Sequence, residues 1–292
     1  MRRDAGHNLA GALWMTGSMA GFAVEDAFLK AAAAQLPLGQ IMALMGVTGA
    51  LVFAALARAQ GAPALPRTLF RRTMLVRSAF ELVGRLFYGL AVALTPISTA
   101  SAILQATPLV VVLGAAWLFG ERVGWRRWAL IGLGLTGVLI ILRPGLAGFD
   151  ALSWLAVIGL LGFAGRDLAT RAAAPSLTTA QLGLAGFAVL ALAGTVLLAR
   201  SGGAVWPAAG QWVMIAGATI FGILGYGALT QAMRTGEVAA VTPFRYSRLL
   251  FALVLGVLVF GERPDAMTLL GAALIVICGV ALMAGRRPAV QG

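Results

Sequence analysis

Phe119-Gly120-Glu121-Arg122 returns as Phe260-Gly261-Glu262-Arg263, 141 residues further along a chain of 292. That spacing is close to half the length, as a duplicated unit would give. Outward from the two copies, Pro, Gly and Thr-Pro breakers divide the chain into apolar runs. Ten spans are expected, at 8–30, 37–58, 72–94, 97–119, 125–143, 151–172, 178–199, 209–233, 238–260 and 266–284. The two copies then close the fourth and the ninth span. Units of five spans, residues 1–145 and 146–292, are odd-numbered, so the second is expected upside down relative to the first. A plainer reading is that each tetrapeptide only closes one helix and caps the next, but that leaves the half-chain spacing unexplained.

Composition fixes the class. The chain is 60% hydrophobic and 11% charged, with a mean hydropathy of +0.93; soluble domains are about 45–50% apolar and about 25% charged. A membrane crossing takes roughly 20 apolar residues, so ten crossings use some two-thirds of the sequence. An all-α integral membrane protein fits, and a large soluble domain is excluded. The 38 glycines agree, since small residues let membrane helices approach closely. The net charge of +12 suggests nucleic acid only until the basic residues are placed. Thirteen of the 22 Lys and Arg fall in loops on the side of the termini and four on the other, which puts both termini in the cytoplasm of a plasma (inner) membrane. The first 30 residues resemble a secretory signal, but Glu25 and Asp26 interrupt the apolar stretch, and it is read as the first membrane helix. The single cysteine, Cys278, forms no intrachain disulfide.

Leu13-Trp14…Gly17, and the stretch Arg77…Tyr88…Ala91…Leu94-Thr95-Pro96…Ala100…Leu104-Gln105…Pro108…Phe119-Gly120-Glu121-Arg122, resemble the drug/metabolite transporter superfamily, EamA type. The second half is similar through Val241-Thr242-Pro243…Tyr246, Gly261-Glu262-Arg263 and Gly271-Ala272-Ala273-Leu274-Ile275…Gly279-Val280. The resemblance spans nearly the whole chain. It implies a carrier of small metabolites or amino acids, usually outward. Its cavity would be lined by spans one, three, four, six, eight and nine, which makes Gln105 a candidate cavity residue. At the 141-residue offset Pro108 meets Leu249, and the second half has Pro243 instead. The two proline-bearing helices are therefore expected to bend at different depths.

Two glycine patterns belong to packing. Gly132-Leu133-Gly134-Leu135-Thr136-Gly137 matches a dinucleotide fingerprint but lies inside one apolar span, without the strand and turn that chemistry needs. Gly17 and Gly21 have the spacing of a helix contact. No HExxH, GxSxG or Cys–His cluster occurs, so no enzyme, cofactor or metal is expected.

Charges inside spans carry the information, since each costs about 2.5–3.5 kcal/mol at a helix centre. Arg77, Glu81 and Arg85 lie on one face of span three. Arg166 and Asp167 stand toward the cytoplasmic end of span six. Arg245 and Arg248 flank Tyr246 just inside the cytoplasmic end of span nine, and Glu25 and Asp26 lie toward the outer end of span one. Each is either a structural ion pair, a snorkelling side chain or a pathway residue. Among the aromatics, Trp14, Tyr88, Phe163 and Tyr226 accompany these positions. Arg245 and Glu81 are suited to a substrate carboxylate and ammonium. The expectation is a secondary carrier whose partners are a small-molecule substrate and the lipid bilayer. A single copy suffices to enclose the cavity, and no ATP-binding segment is present. A passive pore and a membrane enzyme are the alternatives.

Overall fold

A computed structural model describes residues 2–119, 125–143, 150–171, 177–200, 203–235 and 242–284. Among these the chain is helical and contains no strand. The α-helices are α1 (Arg2–Ala33), α2 (Leu38–Ala59), α3 (Arg72–Leu94), α4 (Ile97–Leu104), α5 (Thr107–Phe119) and α6 (Trp125–Leu142) in the first half. They are α7 (Ser153–Arg171), α8 (Thr179–Arg200), α9 (Ala209–Thr235), α10 (Ser247–Phe260) and α11 (Ala266–Ala284) in the second. Short 3₁₀ helices occupy Arg67–Phe70 and Thr242–Tyr246. Within the described residues, every expected span coincides with one of these helices or with a broken pair of them.

The ends have local causes. Pro96 excludes the helical region for Thr95, which is extended at φ −125° and ψ 166°, so α3 stops at Leu94. The break between α4 and α5 follows from Pro108. It has no N–H for the Leu104 carbonyl, and the Thr107 hydroxyl donates to that oxygen instead at 2.5 Å. At the other end of the repeat, Gly261 adopts the left-handed conformation (φ 64°) that closes α10, and Glu262 N–H donates to the Gly256 carbonyl, a Schellman-type end. Of the first tetrapeptide, Phe119 ends α5 and 120–122 lie outside the described residues.

The bends correct one expectation. Span four breaks at Gln105–Ala106, and in span nine the 3₁₀ turn passes into α10 at Tyr246–Ser247. These positions are 141 residues apart, so the breaks are equivalent although the prolines are not. They also meet: the Gln105 side-chain amide donates to the carbonyls of Arg245 and Tyr246, both at 3.1 Å.

Glycine seams set the packing. A methyl group at Gly46 would overlap the backbone of Ala191, and one at Gly39 would overlap that of Leu198 and Gly194, so α2 and α8 run antiparallel in backbone contact. Gly137 of α6 faces Gly271 of α11. Here two members of the dinucleotide-like pattern serve packing: Gly134 abuts Leu109 and Cys278, Gly137 abuts Gly271, and Gly132 stands open. Gly21 meets Gly225 across α1 and α9, while Gly17 has no neighbour within 4 Å. Gly162 of α7 lies on Gly84 of α3. The pairing is two-fold in pattern. Advancing each helix by five spans turns α1 on α9 into α7 on α3, and leaves α2 on α8 and α6 on α11 paired with themselves.

Among the described residues three helices are long and apolar enough to cross a membrane on length and composition: Leu38–Ala59, Thr179–Arg200 and Ala209–Ala232. Several of the others fall short for specific reasons. α1, α3 and α7 carry the charges described next, and the fourth and ninth spans are broken.

Candidate functional site

Helix α3 presents Arg77, Glu81 and Arg85 one turn apart toward α1, α7 and α8. Glu81 is wholly buried (0% exposed). Its carboxylate lies 2.8 Å from Arg77, 3.7 Å from Arg166 of α7 and 4.0 Å from Arg85. Arg85 turns its other side to Glu25 of α1 at 3.7 Å. Arg166 donates to the adjacent Asp167 at 2.8 and 3.1 Å, and Asp167 is 3.8 Å from Arg245 in the 3₁₀ turn before α10. The charges thus alternate in sign from α1 through α3 and α7 to the start of α10: Glu25, Arg85, Glu81, Arg166, Asp167, Arg245. Beside this run, Arg248 donates to Asp26 at 2.6 Å, and the Tyr88 hydroxyl donates to the same carboxylate at 3.2 Å. Buried ions are tolerable only when paired and hydrogen-bonded, and each of these charges has an opposite one within 4.0 Å.

Aromatic faces support the guanidinium groups. Arg166 lies 5.0 Å from the Phe163 ring and Arg85 5.8 Å from Phe187. Arg248 lies between Phe22 and Tyr88 at 5.3 and 5.4 Å. Such contacts strengthen when water is excluded. Phe53, Phe187 and Tyr226 form a mutual aromatic cluster with centroids 5.5–6.4 Å apart.

Of the residues singled out from sequence, Glu81, Arg85, Tyr88, Phe163, Asp167 and Arg245 meet in this cluster. Tyr226 joins it through Phe187. Gln105 and Tyr246 form the crossing of the two broken helices. Pro108 lies in the second position of α5, and Pro243 lies in the 3₁₀ turn. Trp14 stands apart, 49% exposed on α1 and three turns before Glu25. Asp26, expected nearer the opposite surface from Arg248, reaches it directly, while Glu25 reaches Arg85. Phe187 and Phe53 had no distinguishing mark: an aromatic in an apolar helix has the same pattern whether it faces lipid or a charge.

A second polar junction lies one turn further along α1 from Asp26, at Lys30. Glu262 accepts from the backbone N–H of Ile97 (2.7 Å) and Ser98 (3.1 Å) and from the Ser98 hydroxyl (2.7 Å), capping α4. Lys30 donates to the Thr95 carbonyl (2.5 Å) and Val92 carbonyl (3.3 Å) at the end of α3, and stands 3.9 Å from Glu262. The second tetrapeptide does cap a helix, but it is a helix of the other half. No group of three or more His, Cys, Asp or Glu side chains suited to a metal occurs among the described residues.

The model of the EamA-like transporter family matches residues 9–143 and again 150–285. The pseudopaline exporter of Pseudomonas aeruginosa is 30% identical over 264 residues, covering 89% of this chain and 91% of that protein. The riboflavin transporter of Vibrio cholerae is 28% identical over 284 residues, covering 93% and 92%. The S-adenosylmethionine uptake transporter of Rickettsia bellii is 24% identical over 189 residues, covering 65% and 64%. A solved crystal structure, 21% identical, superposes with a TM-score of 0.62 over 94% of this chain and 96% of its own, a likeness of fold alone. The chain belongs to the EamA-like transporter family. It is a membrane transporter, not an enzyme, and its relatives handle small molecules.

Proposed function

From that membership, we propose a ten-crossing secondary carrier of the plasma (inner) membrane, built as inverted repeats 1–145 and 146–292 with both termini cytoplasmic. It exports or exchanges small metabolites, amino acids foremost, by alternating access. The observation that carries this reading is the alternating charge run, which joins helices of both halves at the crossing of the two broken helices. In secondary transporters, discontinuous helices at the repeat interface form the substrate site. Antiparallel packing of the equivalent helices α2 and α8, and of α6 and α11, supports the inversion. Charges that pair internally account for crossings that composition alone does not reveal. Glu81, with least access to water, is the carboxylate whose loss should be felt in transport rather than assembly.

Reconstitution tests this. Uptake of labelled amino acids into proteoliposomes should saturate and be stimulated by substrate on the far side; linear flux would favour a pore. Glu81→Gln should stay monodisperse yet transport at least about tenfold more slowly, a barrier rise of about 1.4 kcal/mol. Unchanged kinetics across pH 6 to 8 would return Glu81 to a structural role. Single cysteines at Gly124 and Asp265 in a Cys278→Ser background should label from opposite sides; Gly124 lies outside the described residues. Labelling from one side would end the inverted-repeat reading.

A further inference from the structure

The equivalent junctions of the two halves, α7 on α3 and α1 on α9, part company at one position. Gly162 lies on Gly84 in the first and Gly21 on Gly225 in the second, each residue shifted by 141. The same shift relates Arg166 to Glu25 and Glu81 to Gly222. Where Arg166 meets the Glu81 carboxylate at 3.7 Å, Glu25 therefore meets a residue with no side chain. Its carboxylate takes up that space: a Cβ on Gly222 would lie 2.9 Å from the Glu25 Oε1.

Glu25 is left with little else. It is 5% exposed, yet among the described residues none donates a hydrogen bond to it, and Arg85 at 3.7 Å is its one cation within 4.0 Å. Arg85 also stands 4.0 Å from Glu81, and neither separation is that of a hydrogen bond. Glu81, by contrast, has Arg77 at 2.8 Å, and Asp26 accepts from both Arg248 and Tyr88.

The other elements packed on α1 bring no closer charge. Asp26 follows in sequence and is engaged by Arg248 of α10, while Arg245 of the 3₁₀ turn faces Asp167. Helix α9 offers Gly222 and, one turn on, Tyr226, which packs against Phe53 and Phe187. Helix α4 has no ionisable side chain, and α2 has only Arg58 at its far end. Burial without hydrogen bonds, beside a second carboxylate, disfavours the charged form of an acid. A proton is the smallest ligand that relieves it.

The geometry points to Glu25 as a proton-exchange site that couples the carrier to a pH gradient. The proposal rests on the carrier reading and names its coupling ion. On uptake, one proton passes from water to a Glu25 carboxylate oxygen, and Arg85 is left to Glu81 alone. On release the proton returns to water and the Glu25–Arg85 attraction between α1 and α3 is restored.

Infrared titration of the full chain in nanodiscs tests the site without any substrate. Between pH 8 and pH 6, wild type should gain a carboxylic-acid carbonyl band that Glu25→Gln lacks. Labelling of wild type with dicyclohexylcarbodiimide, which couples to protonated buried carboxyls, decides the matter if that variant fails to fold. Peptide mass spectrometry should place the adduct on Glu25, with a yield that rises as pH falls. No such band, a band that survives Glu25→Gln, or an adduct on Glu81 or Asp167 instead overturns the proposal. In proteoliposomes an imposed pH gradient should drive net flux of labelled amino acids, and Glu25→Gln should cut that flux at least about tenfold. Proton binding at Glu25 with no flux overturns the carrier reading alone; saturable flux indifferent to the gradient overturns the proton proposal alone.

Discussion

Asp26 on α1 and Asp167 on α7 stand 141 residues apart, at matching places in the two halves, and each faces an arginine from the beginning of span nine. The resemblance stops there. Asp26 and Arg248 approach to 2.6 Å with side chains 6% and 14% exposed, and Tyr88 supplies a third member. Asp167 and Arg245 stand 3.8 Å apart, 25% and 26% exposed, and Asp167 takes its hydrogen bonds from neighbouring Arg166 instead. One junction is tight, dry and dependent on a single guanidinium. The other is loose, wetter and doubly served. The same helix start is therefore fastened firmly to one half and lightly to the other.

Removing one arginine at a time should expose that asymmetry. Arg248→Gln leaves a buried Asp26 with only a hydroxyl, and breaking such a pair costs about 3–5 kcal/mol. Thermal unfolding in detergent should show this as the largest loss. Tyr88→Phe removes only the 3.2 Å hydrogen bond to Asp26 and should cost about 1 kcal/mol in the same assay. Arg245→Gln leaves Asp167 its Arg166 partner and should cost less than about 1 kcal/mol, since loosely spaced, partly solvated pairs contribute little. Equal losses for Arg248→Gln and Arg245→Gln would dissolve the comparison.

The exposed pair of Arg143 and Asp265 sets the lower limit. Its hydrogen bonds from Arg143 and the Thr268 N–H hold the Asp265 carboxyl down at about 2. A depressed carboxylate stabilises the fold above its unfolded value of about 3.9 and loses that contribution as pH falls toward 2. With the Asp265 side chain 52% exposed, solvent screening limits the effect. Asp265→Asn should change stability by less than about 0.5 kcal/mol at pH 7, and wild type and variant should converge near pH 2. A larger gap would mean that pairing strength does not follow burial here.

Much of this was legible in sequence for one reason: hydrocarbon makes charge expensive. Glu81, Arg85, Asp167 and Arg245 stood out because nothing but a partner or a function justifies them in an apolar run. Pro and Gly breakers likewise marked the helix ends, α3 from residue 72 to Leu94 being the closest match. What stayed hidden depends on contacts between distant segments. The aromatic partners Phe187 and Phe53 differ from lipid-facing rings only by their neighbours. The equivalence of the two helix breaks was obscured because proline explains the first one only; the second is fixed in space by Gln105, from the other half. Nothing in Glu262 announced that its partners are Ile97 and Ser98.

That cap also sets a clock on biosynthesis. The amides of Ile97 and Ser98 leave the ribosome 164–165 residues ahead of the carboxylate that receives them. At about 5–20 residues per second, α4 spends on the order of ten seconds with its first turn unanswered. Over that interval the first half cannot complete its own junction, and the last stretch translated before α11 supplies the missing acceptor. Splitting the gene between the halves would turn this intramolecular wait into an encounter between two chains, dependent on their concentration in the membrane.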